Sequence, residues 1–205
     1  MSVILQEERD ACGLTLIVSA DPDPLNPRAE FEHLGTLACW HRRYSIGDKH
    51  SWLSPQEFEV AMEERPHIRL PVFLYDHSGI TIATTPFSCP WDSGQIGWIF
   101  VELIKLRAAF PKLRRRADLE AEAKRMLRSE IAEYDQYLTG DVWCARVEDT
   151  GGAVLDSCCG FFGSDYAIQE GRRMLADCLT TFRREQVEAF VERVETKRPD
   201  LVPPD

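Results

Sequence analysis

Residues 70–84 read LPVFLYDHSGITIAT: two apolar, β-branched and aromatic segments, Leu70 to Tyr75 and Ile80 to Thr84, on either side of Asp76-His77-Ser78-Gly79. Side chains of that kind suit a pleated strand, and a short Asp/Ser/Gly connection suits a tight hairpin with glycine in the left-handed position. The reading works outward from this hairpin. Upstream, Ser54-Pro55-Gln56-Glu57 presents an N-cap serine, a proline at the first helical position and a glutamate three residues after the cap. Phe58, Ala61 and Met62 then face the core, and Pro66 ends that helix. Leu34 to Trp40 and Cys12 to Ser19 read as strands, the latter entering the proline-rich turn 20–27. Downstream, Ile96 to Val101 reads as a buried strand and Glu102 to Phe110 as a short helix stopped before Pro111.

From Asp118 onward, Leu119, Ala123, Leu127, Ile131, Tyr134 and Leu138 recur at three- and four-residue spacing, which predicts an amphipathic helix closed by Gly140. Val142 to Glu148 and Val154 to Cys159, around Thr150-Gly151-Gly152, predict a second hairpin. A final helix from about Asp165 carries Leu175, Cys178, Leu179, Phe182, Phe190, Val191 and Val194, with a break expected near Arg183 to Glu185. Hairpins interspersed with helices, without βαβ alternation, predict an α+β fold in which a largely antiparallel sheet packs against two long helices. With no internal repeat and no long linker, a single domain is expected over 1–196, followed by a polar, Pro-rich tail at 197–205.

The 205 residues carry 24 Lys plus Arg against 34 Asp plus Glu, a net charge of -10, and 44% are hydrophobic. That composition supports a packed core and excludes collagen-like and disordered classes. Glu7, Glu8, Arg9 and Asp10 interrupt the start where a secretory signal needs an apolar stretch, and the longest apolar runs fall short of a membrane span. Seven cysteines without a C-x-x-C pair suggest neither a disulfide framework nor a zinc ribbon, so a reducing cytoplasm is expected. Charge is uneven: residues 105–128 hold nine Lys or Arg and three Asp or Glu, net +6, leaving -16 elsewhere. Such an acidic surface disfavours direct nucleic-acid binding. The basic run Lys112, Arg114, Arg115, Arg116 reads as a solvated helix entry ahead of a phosphate contact, because no aromatic residue interleaves between Lys112 and Arg128 to stack on bases.

Three stretches, NPRAEFEHLGTLACWHRRYSIGDKH (26–50), LYDHSGITIATTPFSCPWDSGQIGWIFV (74–101) and YDQYLTGDVWCARVEDTGGAVLDSCCGFFG (134–163), resemble an uncharacterised family encoded by bacteriophages, prophages and plasmids, the likeness spanning 21–165. It implies context only, an accessory protein of a mobile element in the cytoplasm of a bacterial host, and offers no catalytic residues to carry over.

Several residue groups carry chemistry. His41-Arg42-Arg43-Tyr44 sets two guanidinium groups beside two rings, suited to clamping an anion, or to packing and ion pairing. Asp76 and His77 sit on the hairpin turn, and Cys89, Trp91 and Asp92 on the loop after it. A Cys-His nucleophile needs the imidazole on the sulfur, and the turn and loop could lie at opposite ends of the hairpin. Trp91 is expected on a displayed, proline-stiffened surface, the alternative being a core lid over the hairpin. Asp135, Tyr137 and Asp141 close the long helix, either capping it or lining a pocket. Asp21, Asp23 and Asn26 offer oxygens two and three residues apart but lack the glycine and distal glutamate of a calcium loop. His33, His41, His50, His67 and His77 lack zinc spacing, so no metal and no cofactor is expected. Phosphate-loop, dinucleotide, hydrolase and metalloprotease signatures are absent from the sequence.

The resulting expectation is a phage or mobile-element accessory protein that acts by binding, such as an acidic counter-defence inhibitor of a host defence or nucleic-acid-handling complex. The alternative is a small-ligand protein, or an enzyme, that takes an anionic metabolite or nucleotide through the His77, Cys89 and Asp92 loops or through Arg42, Arg43 and Tyr44.

Overall fold

Ser54 opens its helix as the sequence asks: its hydroxyl accepts from the Glu57 amide at 3.2 Å, and Pro55 follows at the first helical position. The Glu57 carboxylate returns to the Leu53 amide at 2.6 Å, one residue before the cap. This is one of thirteen elements in the computed structural model, which describes residues 3–197 and separates into two compact units: Met1–Asp23 with Val142–Asp205, and Pro24–Asp141. The α+β architecture is present, distributed over two antiparallel sheets instead of one.

The discontinuous unit contains β1 (Ile4–Arg9), β2 (Thr15–Ala20), β7 (Val142–Glu148), β8 (Val154–Phe162) and α5 (Ser164–Lys197), with sheet order β1-β2-β7-β8. Leu14, Leu16 and Val18 alternate onto the same face as Ala145 and Val147, and α5 covers them with Ala167 and Leu175. Strand β1 has no counterpart in the sequence reading, because ILQEER is a mostly exposed edge that shows no apolar alternation. Helix α5 runs unbroken through Arg183 to Glu185, since nothing there interrupts its backbone hydrogen bonds. The tail beyond Lys197 lies outside the described residues.

The continuous unit holds a second sheet, ordered β3-β6-β4-β5, from β3 (Thr36–Cys39), β4 (His67–Asp76), β5 (Ile80–Ala83) and β6 (Ser93–Glu102). The remaining helices are α1 (Pro27–Glu30), α2 (Pro55–Glu63), α3 (Leu103–Ala109) and α4 (Arg116–Thr139). Successive strand residues point to opposite faces. Leu37, Ile99, Val101, Leu70 and Val72 therefore meet Leu119, Ala123, Leu127 and Ile131 of α4, while Ala38 and Phe100 meet Phe58 and Met62 of α2. Trp40, Trp52 and Trp98 complete that second face. Where β6 passes β3, a Cβ on Gly97 would collide with the Ala38 carbonyl. Five of the six positions its spacing predicts, Leu119, Ala123, Leu127, Ile131 and Tyr134, are buried along α4, Leu138 is half-buried near its end, and Gly140 caps it at φ 75°. In the β4–β5 turn, Ser78 takes the left-handed conformation at φ 58°, a place the sequence assigns to Gly79. The His77 amide bonds the Gly79 carbonyl across that turn at 3.0 Å.

Candidate functional site

Strands β5 and β6 flank β4 on opposite sides, and each runs antiparallel to it. Both therefore begin at the same end of the sheet, and residues 84–92 must carry the chain from the far end of β5 back to that end. Tyr75 of β4 lies opposite Ser93, the first residue of β6. Strand β3, antiparallel to β6, finishes there too, with the Trp40 amide on the Ile96 carbonyl at 2.8 Å. Three segments distant in sequence, 41–44, 76–79 and 89–92, thus converge at one sheet end.

Their side chains interlock. The Asp76 carboxylate accepts from Arg43 Nη2 at 2.8 Å and from the Tyr44 hydroxyl at 3.2 Å. His41 stacks on Tyr44, ring centroids 5.0 Å apart, and its Nδ1 accepts from the Tyr44 amide at 3.2 Å. With Nδ1 accepting, a neutral His41 carries its proton on Nε2. In the loop, Ser93 Oγ donates to the Cys89 carbonyl at 2.5 Å, and Phe87 stacks on Tyr75, which stacks on His77. Asp92 Oδ2 takes the Cys89 thiol at 3.5 Å and lies 3.6 Å from His77 Nδ1. The order is therefore cysteine, carboxylate, histidine. A working nucleophile needs the imidazole between the other two, on the sulfur.

Trp91 is 91% exposed, so it is no lid over the hairpin. It borders a cleft of about 410 Å³ together with His41, Arg42, Arg43, Asp76 and Asp92. A neighbouring cleft of about 660 Å³ shares Trp40, His41, Arg42 and Arg43 and continues past Tyr44 to Lys49 and His50. Lys49 escapes the sequence reading, which weighs His50 only as a metal ligand, because Gly47 and its neighbours separate both from the arginines. A basic pair on each side of a glycine turn is the signal that was available.

The 41–50 segment is anchored from below by a group the sequence reading also misses. The Arg28 side chain, 3% exposed, grips both Asp48 oxygens, reaches Glu130 Oε2 at 3.0 Å and donates to the Gly35 carbonyl at 2.9 Å. Asp48 in turn accepts from the Leu37 amide at 2.8 Å, and Glu130 accepts from the amides of Leu34 and Gly35. Burial works against the guanidinium charge, but the bonds and charges of Asp48 and Glu130 outweigh it and raise its pKa above the ordinary value. Burial also pushes the Cys39 thiol up to about 12, with Asp48 adding to the effect and Arg28 opposing it.

The remaining candidates do other work. Asp135 Oδ1 accepts from Thr81 Oγ1 and the Ile82 amide, each at 2.7 Å, tying α4 to β5. Tyr137 stacks on Tyr134 in the helix, and the Asp141 amide bonds the Gln136 carbonyl at 2.8 Å just past the cap. The oxygens of the 21–26 loop serve backbone amides, Asp21 those of Asp23 and Gly160, Asn26 that of Arg28. Cys144 and Cys159, which the sequence reading left unpaired, form a disulfide across β7 and β8. Their separation of 15 residues is hairpin geometry and follows no short motif. Among the described residues no helix is long and apolar enough to cross a membrane. Compared with protein-family models, curated proteins and solved structures, the chain matches none.

Proposed function

We propose that this chain acts by binding, and that the sheet end at His41–Tyr44 and Cys89–Asp92 receives a phosphorylated ligand that carries a ring, such as a nucleotide. One observation carries this reading. In a chain of net charge -10, Arg42, Arg43 and Lys49 line one cleft with His41 and His50. Arg43 is already paired with Asp76, whereas Arg42 and Lys49 have no side-chain ion pair among the described residues and can meet phosphate oxygens. Trp91 supplies a face for stacking at the adjoining cleft, and Asp92 an acceptor for hydroxyl groups. The Cys89-Asp92-His77 order gives no support to nucleophilic turnover.

The test is titration of the protein with nucleoside mono-, di- and triphosphates and with inorganic phosphate, followed by calorimetry and tryptophan fluorescence. Saturable binding that strengthens with phosphate number, weakens with salt and is lost in Arg42→Ala supports the reading. Binding of no phosphate compound, or binding unchanged in Arg42→Ala, ends it.

A second reading rests on Trp91 alone: a large ring so exposed is the kind of anchor that protein interfaces bury. On it, the chain is a mobile-element accessory protein whose acidic surface occupies a host defence or nucleic-acid-handling complex, with association steered by charge. A partner retained from host lysate at low salt, released at high salt and lost in Trp91→Ala supports that version.

A further inference from the structure

The disulfide of the discontinuous unit has a carboxylate for a neighbour. Along β7, Trp143, Ala145 and Val147 pack toward α5, so the alternation of the strand turns Cys144 to the opposite face. Cys159 of β8 reaches it there. Asp21, just past β2, donates its amide to the Val142 carbonyl at 2.9 Å, and its Oδ2 accepts from the Gly160 amide at 3.1 Å, so the carboxylate spans from β2 to β8. Its Oδ1 accepts from the Asp23 amide at 3.0 Å, which fixes the group from the other side. A carboxylate oxygen of Asp21 and both sulfurs lie within 4.8 Å of one another. Beyond its two amide donors the carboxylate gains nothing from the disulfide, since bonded sulfurs carry no charge and no proton to give.

We propose that in the reduced chain Asp21, Cys144 and Cys159 bind a thiophilic divalent cation of the Zn²⁺ type, and that the disulfide is the closed form of the same site. Two thiolates and a carboxylate are a zinc-type donor set, with zinc–sulfur bonds of about 2.3 Å and zinc–oxygen bonds of about 2.0–2.2 Å. Atoms that start within 4.8 Å need only side-chain rotation to surround one ion. Cys159 is exposed, which leaves a fourth position for water or an incoming ligand. Cys158, opposite Ala145 in the ladder, belongs to the other face and is not a ligand.

The chemistry balances with a dithiol as reductant. It gives two electrons and two protons, the S–S bond breaks to two thiols, and the dithiol becomes a disulfide. The cation then takes both sulfurs as thiolates and releases their two protons to solvent. Bonded sulfurs are not thiolate donors, so oxidation and metal binding exclude each other.

The full-length protein, reduced and held anaerobically, is titrated with Co²⁺ as the spectroscopic probe, with Zn²⁺ as competitor. Expected is a thiolate-to-cobalt charge-transfer band that saturates at one equivalent, disappears on adding Zn²⁺ and is absent from the oxidised protein. Cys144→Ser abolishes it and Cys158→Ser leaves it intact. Asp21→Asn weakens binding by about 10-fold or more, the usual scale for losing a metal-site partner. No band in the reduced wild type, a band that survives Cys144→Ser, or affinity unchanged in Asp21→Asn overturns the proposal. Should Cys144→Ser fail to fold by circular dichroism, the oxidised wild type and Asp21→Asn still decide it.

Discussion

The backbone amide of Asp76 donates to the carbonyl of Asp92 at 2.8 Å, so the last residue of β4 and the last residue of the 84–92 loop are joined just beyond the Tyr75–Ser93 end of the β4–β6 ladder. The backbone beneath the two carboxylates at this sheet end is consequently tied together, and the exposed ring next to Asp92 stands on a tethered support. Preorganisation of this kind lowers the ordering cost of binding.

Trp91→Ala should therefore leave the fold almost untouched. A side chain that is 91% exposed buries little on folding, so the unfolding free energy is expected to move by no more than about 0.5 kcal/mol. Urea denaturation measures this. A loss of several kcal/mol would mean that the ring packs after all.

Asp76→Asn removes the carboxylate that Arg43 and Tyr44 share. Arg43 is largely exposed, so the lost pair costs only about 0–1 kcal/mol. With the competing negative charge gone from the cleft, affinity for inorganic phosphate or a nucleotide should rise. Urea denaturation reads the first effect and binding calorimetry the second, and weaker binding in the variant would contradict the placing of an anion in this cleft.

Arg28→Met should be far more damaging. The substitution leaves Asp48 and Glu130 without their common counter-charge inside the unit, and breaking a buried pair in that way costs about 3–5 kcal/mol. Equilibrium denaturation should show the loss. A variant as stable as the wild type would show that the two carboxylates find other compensation.

Alkaline pH gives a further check. Cys39 has its thiol raised from 9.0 to about 12 in the folded chain, so the native state keeps a proton that the unfolded chain gives up. Its stabilisation is complete below about pH 9 and is lost as pH rises toward about 12, with a limiting slope of about 1.4 kcal/mol per pH unit. Burial raises the Tyr134 hydroxyl too, so the wild-type decline contains both groups. Cys39→Ala should flatten the curve in this window, and an unchanged slope would remove Cys39 as its source.

What the sequence could disclose follows from which interactions are local. The Ser54 cap, the α4 stripe from Leu119 to Tyr134 and the 70–84 hairpin depend on neighbours a few residues apart, and composition displays them directly. Strand β1 was hidden because its six residues gain their place only by pairing with β2 at the sheet edge. The Arg28, Asp48 and Glu130 group was hidden for the same kind of reason: residues 102 positions apart meet only once α4 has packed. At the candidate site, the arginines and Trp91 could be read as chemistry-bearing residues. Their convergence depends on β5 and β6 lying on opposite sides of β4, a topological fact without a motif. Lys49 was missed, and His50 weighed only as a metal ligand, because only the folded loop brings them back to the arginines.

The interruption of one sheet by a whole second unit also sets an order of events during synthesis. Thr15 pairs with Glu148 and Ala20 with Trp143, so β2 leaves the ribosome more than a hundred residues before its partner exists. The intervening Pro24–Asp141 segment holds every strand of its own sheet and can fold as soon as it emerges. Until β7 arrives, Leu14, Leu16 and Val18 have no core to enter. The nascent chain must therefore carry an apolar β1–β2 hairpin in the open for most of translation, and long-range pairings of this kind are slow and exposed to aggregation. The Glu7, Glu8 and Arg9 charges on β1 guard the outer edge of that hairpin against pairing with other chains, while the β2 edge stays open until β7 arrives.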